Sequence, residues 1–284
     1  MLAGVYPVGM KIAVGWGLKD RGYLVGLLVG SLTLGSAAPH LAAIIGGAEW
    51  RFAVIVTSAA AMFGGFLTLG AALGPYHALA TAFDPKAITL AWTNKRIRLA
   101  YAGYLGHMWE LFAMWAWIGA ASAASYSYSM DADSARQLAA LTAFLAIGLG
   151  GFACVFAGYY ADRIGKAEVT IVAMVVSGTA AIATGLTFGG SAWVTFAIVM
   201  VWGIAVIPDS AQFSALVADA SPADKAGSLM TLQTALGFTL TIATVQATPY
   251  LAHIFGWPVI LCAMAAGPAL GVVAMVMHTR LSHA

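Results

Sequence analysis

Apolar residues run along this chain in nine long stretches: roughly 2–17, 24–46, 52–74, 99–123, 138–160, 168–189, 192–218, 228–248 and 257–278. Each of the last eight is long enough to cross a bilayer as a helix, which takes about 20 residues. The first stretch sits at the low edge of that range. Glycine and proline recur inside the stretches, as membrane helices tolerate. The pattern predicts an all-helical protein with nine transmembrane helices and its two termini on opposite sides.

Composition agrees with the pattern. Hydrophobic residues make up 61% of the 284 and charged residues only 8%, against roughly 25% charged in a soluble domain. A water-facing surface cannot be made from so few charges, whereas lipid requires none. The net charge of +2 and the lack of any like-charged block give no footing for a nucleic-acid partner. Cys154 and Cys262 both lie in apolar runs without a partner at metal-ligand spacing, so they read as small packing side chains. Residues 1–17 do not form a signal peptide, because the basic start is missing and Lys11 interrupts the apolar run.

The loops set the orientation. With a cytoplasmic carboxyl end, the inner loops hold Lys19, Arg21, Lys86, Lys95, Arg96, Arg98, Arg163, Lys166, Lys225 and Arg280, and the outer loops only Arg51 and Arg136. That bias is the positive-inside pattern and places the chain in an inner membrane. It also places Met1 on the outer side, where a start inside a helix looks like a cut end. The Ala- and Gly-rich composition suits a bacterial source.

The longest polar stretch, about 75–98, divides the chain into three helices and six. The expected division is a three-helix remainder of an amino-terminal bundle over 1–75, a cytoplasmic linker over 76–97 and a six-helix bundle over 98–284. An internal repeat is faintly visible. Val5-x-Pro7, Asp20-Arg21-Gly22, Gly35 and Pro39 are echoed by Val206-x-Pro208, Asp224-Lys225-x-Gly227, Gly237 and Pro249. If segments one to three repeat segments seven to nine, three upstream helices are missing and a full chain would have twelve.

The loop after the fifth segment reads Gly158-Tyr-Tyr-Ala-Asp162-Arg163-Ile-Gly165-Lys166. It resembles the G-x-x-x-D-R-x-G-[RK] loop of the major facilitator superfamily, which joins the second and third helices of each six-helix half on the cytoplasmic side. Here it joins the second and third helices of the six-helix block, on the side the positive charges call inner. Lys19-Asp20-Arg21-Gly22 is similar to the family's loop between its fourth and fifth helices, and the long basic stretch to its inter-half linker. The resemblance runs from the family's fourth helix to its twelfth. It implies two pseudo-symmetric bundles around a midplane site, an inner gate at Gly158, Asp162, Arg163, Gly165 and Lys166, and transport of a small solute driven by an ion gradient, most often protons. The family's substrates include sugars, organic and inorganic anions, amino acids and drugs.

Few polar residues interrupt the apolar runs. Glu110 falls about 11 residues into segment four, near the middle of the bilayer, where a carboxylate is costly unless it faces protein, water or a partner. Gly103, His107, Glu110, Met114 and Trp117 share one helical stripe, and His107, one turn away, can share a proton with Glu110. The pair reads either as a proton- or substrate-binding site or as a hydrogen-bonded tie between helices. Asp209 follows Pro208, where segment seven should bend, with Gln212 one turn on and Trp202 and Val206 continuing the face. It can bind substrate or pair with a loop cation such as Arg163. Gln233 and Gln246 either face the solute or bond across helices, and Tyr104 either lines the cavity or packs. Trp109, Trp115 and Trp117 form an aromatic group, better read as packing than as a stacking platform. Lys11 needs only to snorkel to the interface, yet with the basic loops it gives a slight lean toward anionic substrates. Gly150, Cys154 and Gly158 form a small-residue stripe, a packing face.

No histidine pattern has metal-ligand spacing and no phosphate-binding loop is present, so the expectation is a protein without cofactor or metal. The reading is a proton-coupled secondary transporter and not an enzyme, with lipid, protons and a small molecule as partners. Two rivals are a non-transporting fragment lacking its first helices and an intramembrane enzyme built on Glu110, His107 and Asp209. The different depths of Glu110 and Asp209 argue against the second. The orientation is directly testable: green fluorescent protein fused after Ala284 should fluoresce, while alkaline phosphatase there should stay inactive. The reverse result would invert the assignment of inner and outer loops.

Overall fold

The computed structural model describes residues 2–17, 21–46, 50–76, 87–222 and 224–282. Twelve helices follow in order: α1 (Leu2–Trp16), α2 (Arg21–Gly46), α3 (Trp50–Thr68), α4 (Ala87–Thr93), α5 (Lys95–Tyr126), α6 (Ala132–Ile164), α7 (Lys166–Leu186), α8 (Ala192–Ala205), α9 (Ser210–Ala220), α10 (Ala226–Phe255), α11 (Trp257–Met264) and α12 (Ala266–Ser282). The described residues contain no strand, and the fold is the all-helical membrane type expected.

The nine apolar stretches are all helical, but two are broken. Segment seven divides into α8 and α9 around Pro208, and segment nine into α11 and α12 at Ala265. Seven of the described spans are long and apolar enough to cross a membrane: α2, α3, α6, α7, α8–α9, α10 and α11–α12. The other two expected crossings fall short for different reasons. With 15 residues, α1 is short. With 32 residues, α5 is ample in length, but it carries Lys95, Arg96, Arg98, His107 and Glu110. Its polarity follows from its position, because α5 is packed by α6, α9, α10 and α12 and faces protein more than lipid.

Two devices set the helix ends. Asn94 caps α5 by accepting from the Arg96 and Ile97 amides, while its own amide nitrogen donates to the Ala220 carbonyl at 3.3 Å. The start of α5 is thereby tied to the end of α9. At the opposite end Asp131 accepts from the Ser134 and Asp133 amides, and these bonds hold its carboxyl below the usual range. The linker expected over 76–97 is partly helical, since α4 lies within it and α5 already begins at Lys95. Residues 77–86 of that linker, and Lys19-Asp20, lie outside the described residues.

The proposed repeat is only partly visible in the helices. α2 and α10 each run unbroken through an internal proline, Pro39 and Pro249. In contrast α1 is continuous at Pro7, whereas its counterpart breaks at Pro208.

α2 is the main contact between the first helices and the rest, lying along α6. Glycines let the two backbones meet: a Cβ on Gly30 would stand 2.5 Å from the Gly151 carbonyl oxygen, and one on Gly26 would stand 2.8 Å from that of Cys154. On the neighbouring face of α6, Gly150 receives α8 at Gly203 in the same way. The small-residue stripe is a packing face, as expected. By contrast α3 packs on α2 with no buried residue of its own. Substituting Gly30→Leu should therefore destabilise the purified protein by about 1–3 kcal/mol, the usual cost of overpacking. Gly35→Ala, with nothing within 4 Å of the new carbon, should leave the melting temperature unchanged or raise it.

Candidate functional site

Midway along α5, about 22 Å from its first residue at 1.5 Å per residue, Glu110 points into the bundle and is 1% exposed. Its two oxygens are held from two other helices. Ser177 Oγ on α7 donates to Oε2 at 2.9 Å, and Trp202 Nε1 on α8 donates to Oε1 at 2.8 Å. Both donors are neutral, and both residues are themselves buried. Three helices are joined through one carboxyl group.

His107 lies one turn nearer the basic end of α5. It does not bond to Glu110, contrary to expectation. Its partner is Asp209, whose Oδ1 lies 2.9 Å from His107 Nδ1. The approach is close but poorly aligned, so that Oδ1 gains no hydrogen bond and neither does His107 Nε2. The reason for the pairing is the break in segment seven. Pro208 has no N–H to continue the helix, the chain turns through Val206–Asp209, and α9 restarts at Ser210. Asp209 thus sits at the N-cap position of α9 but makes no capping bond, and its carboxyl faces α5 instead.

The break sets Asp209 beside His107, one helical turn from Glu110 toward the basic end of α5. The two acids are close enough to feel each other's charge, and Asp209 also acts on the buried thiol of Cys154 on α6. Pairing with Arg163, one of the two roles open to Asp209, is not made. The Arg163 guanidinium lies 3.8 Å from the centroid of the Tyr159 ring, at the end of α6.

The other candidates fall around this centre. Tyr104 and Phe213 flank the His107 ring, with centroids 6.2 and 5.8 Å away. Gln212 on α9 is buried. On α10, Gln233 is fully buried and neither its amide nitrogen nor its amide oxygen has a hydrogen-bond partner, so of its two alternatives the cross-helix bond is not made. Gln246 is exposed. Trp117 is half-buried and donates to the Val245 carbonyl at 2.9 Å, tying α5 to α10. The expected tryptophan group disperses, since Trp109 reaches the Ala263 carbonyl and Trp115 packs on Phe112. Residues 109, 115 and 117 point to different sides of a helix with 3.6 residues per turn. Lys11 is exposed, as a snorkelling side chain requires.

The loop motif lies at the basic end of the bundle. Gly158 is buried in α6, Asp162 and Arg163 are exposed, and Gly165 separates α6 from α7 with φ +108°. That left-handed backbone suits glycine alone, and a Cβ there would collide with the Glu168 carboxylate. Lys166 pairs with Asp219 at the far end of α9. Arg96 donates to the Leu281 carbonyl at 2.8 Å, which ties the start of α5 to the end of α12. A cleft of about 420 Å³ lies among the motif, α9 and α12, lined by Asp162, Lys166, Glu168, Asp219 and His278.

Sequence reasoning missed Ser177 and Asp219, and noted Trp202 only as part of the Asp209 face. A lone serine in an apolar helix carries no signal, whereas Asp219 stands near the basic loop and was open to pairing. The bond from Trp202 is testable. Trp202→Phe keeps the ring's bulk but leaves Glu110 Oε1 without its donor, and should cost about 1–3 kcal/mol of stability, read as a lower melting temperature in detergent. An unchanged melting temperature would show that this bond does not tie the helices.

No curated protein matches the chain. The family model of the Major Facilitator Superfamily matches residues 1–245, which take in α1 to α9 and most of α10. Together with the apolar helices and the buried polar centre, that match settles the class: the chain belongs to the Major Facilitator Superfamily, a family of membrane transporters.

Proposed function

We propose that this protein moves a small solute by alternating access, coupled to protons through Glu110, in an inner membrane with its carboxyl end in the cytoplasm. The observation that carries the reading is the Glu110 carboxyl group, buried among three helices and bonded only to the neutral donors Ser177 and Trp202. A charge appearing on such a group must be met by water, a cation or a change in packing. Gain and loss of its proton therefore have a direct route to the arrangement of α5, α7 and α8.

His107 and Asp209 act beside it as a second proton-holding pair, and Gln212, Tyr104, Gln233 and Trp117 contribute the surrounding surface. The helices α1–α3 belong to one moving bundle and those from α5 onward to the other, working by rocking of the halves. The inner gate consists of Gly158, Asp162, Arg163, Gly165 and Lys166, with Asp219 as the partner of Lys166. Broken helices at membrane depth commonly build transport sites, and the α8–α9 break places Asp209 in the centre.

Uptake into proteoliposomes tests the coupling. An imposed proton gradient should drive accumulation by the parent protein. Glu110→Gln should abolish the dependence on the gradient while leaving solute exchange close to the parent rate. If Glu110→Gln responds to the gradient as the parent does, Glu110 is a structural tie and the coupling assignment is wrong.

A further inference from the structure

Among the residues whose burial is described, Glu110 and Asp209 are the only buried carboxyl groups, and no lysine or arginine is buried with them. The only ionisable base in the centre is His107, which stands against Asp209. The slight lean toward anions drawn from Lys11 has no support here, because Lys11 is exposed. The amino-terminal end of α9 carries a partial positive charge of about half a unit. Asp209 stands at that position without a capping bond of its own, so an anion approaching that end would meet a carboxylate.

The atoms without partners point the same way. Asp209 Oδ1 has only the misaligned His107 Nδ1 at 2.9 Å, Gln233 Oε1 is a buried acceptor with no donor, and Gln233 Nε2 and His107 Nε2 are also unbonded. Polar groups so deeply buried are normally bonded, and each exception asks for an explanation. Beside them stand the Tyr104 and Phe213 rings, whose faces attract cations. Gln233 is placed on the same side of α10 as Gly237, which abuts Tyr104 and Met108 of α5. A carboxyl oxygen awaiting a donor, an amide awaiting partners and aromatic rings together form the chemistry of an ammonium site.

We infer that the transported solute is a small organic cation, a protonated amine or quaternary ammonium ion, with Asp209 as its counter-charge in the buried cluster that also holds His107, Gln233, Tyr104 and Phe213. The inference rests on the central site being the solute site. Glu110, with both oxygens occupied, is kept for the proton, and the cation displaces His107 from Asp209. A carboxylate solute would face two acids with no fixed cation and would be excluded.

The test is binding to the purified full chain in detergent, which requires no transport. Aliphatic and aromatic amines and quaternary ammonium ions are set against neutral amides and carboxylates with the same carbon skeletons. The readouts are melting temperature and equilibrium binding at neutral pH. Members of the cationic set should raise the melting temperature and bind saturably, and their matched carboxylates should do neither. Asp209→Asn should weaken cation binding more than about tenfold, the scale expected when one partner of a buried charge pair is lost. Arg136→Ala, at the exposed outer end, should bind as the parent does. The charge pattern of the parent protein decides the matter even if Asp209→Asn fails to fold. Binding of carboxylates, absence of binding by every cation, or full affinity in a folded Asp209→Asn protein would each overturn the inference. Cation binding without gradient-driven uptake would leave it standing and remove the proton-coupling proposal instead.

Discussion

The packing of this protein turns on a single constraint: a carboxyl group is held in an interior built almost wholly from apolar side chains. Glu110 is tolerable there because Ser177 and Trp202 each supply a donor. An unbonded polar group in such surroundings costs several kcal/mol. Those two bonds fix the rotation of α5, α7 and α8 about their axes. A turn of any one of the three would carry its polar atom away from the others. The apolar contacts among these helices are less directional and could be satisfied at several rotations.

The broken helix extends this centre to the gate. α9 has 11 residues, about 16 Å of helix. At one end Asp209 meets His107, and at the other Asp219 meets Lys166 of the loop motif. A short rigid helix with one acid at the membrane centre and another at the basic face connects the two places physically. Because the chain is interrupted at Pro208, α9 can tilt without dragging α8, whose Trp202 is bonded to Glu110. The basic end of the bundle is held by polar ties that include Lys166–Asp219, Arg96 to Leu281 and Asn94 to Ala220. Ties at an exposed surface are individually weak.

α2 and α6 meet through glycines that bring backbone against backbone, leaving no room for a solute between them. The unbonded polar atoms of Asp209, His107 and Gln233 face α5, α9 and α10. Small residues mark where helix backbones meet most closely.

The sequence by itself determined the class, the approximate positions of the helices and the residues that carry unusual chemistry. Runs of apolar residues read directly as spans because lipid leaves the backbone no partner but itself. Glu110, His107 and Asp209 stood out because a charge in such a run is costly. The motif's second glycine was legible for a related reason, since Gly165 has a backbone angle that other residues resist. Only the tertiary structure decided the partners. His107 and Glu110 share a helical stripe, yet the bonds of Glu110 go to Ser177 and Trp202, 67 and 92 residues away in the chain. Periodicity gives the face of a helix but not the helix opposite it. The bend at Pro208 was legible, but not the direction in which it sends the Asp209 carboxyl, which meets His107. Bonds between distant helices depend on how the bundle closes, and that closure is a property of the packed whole.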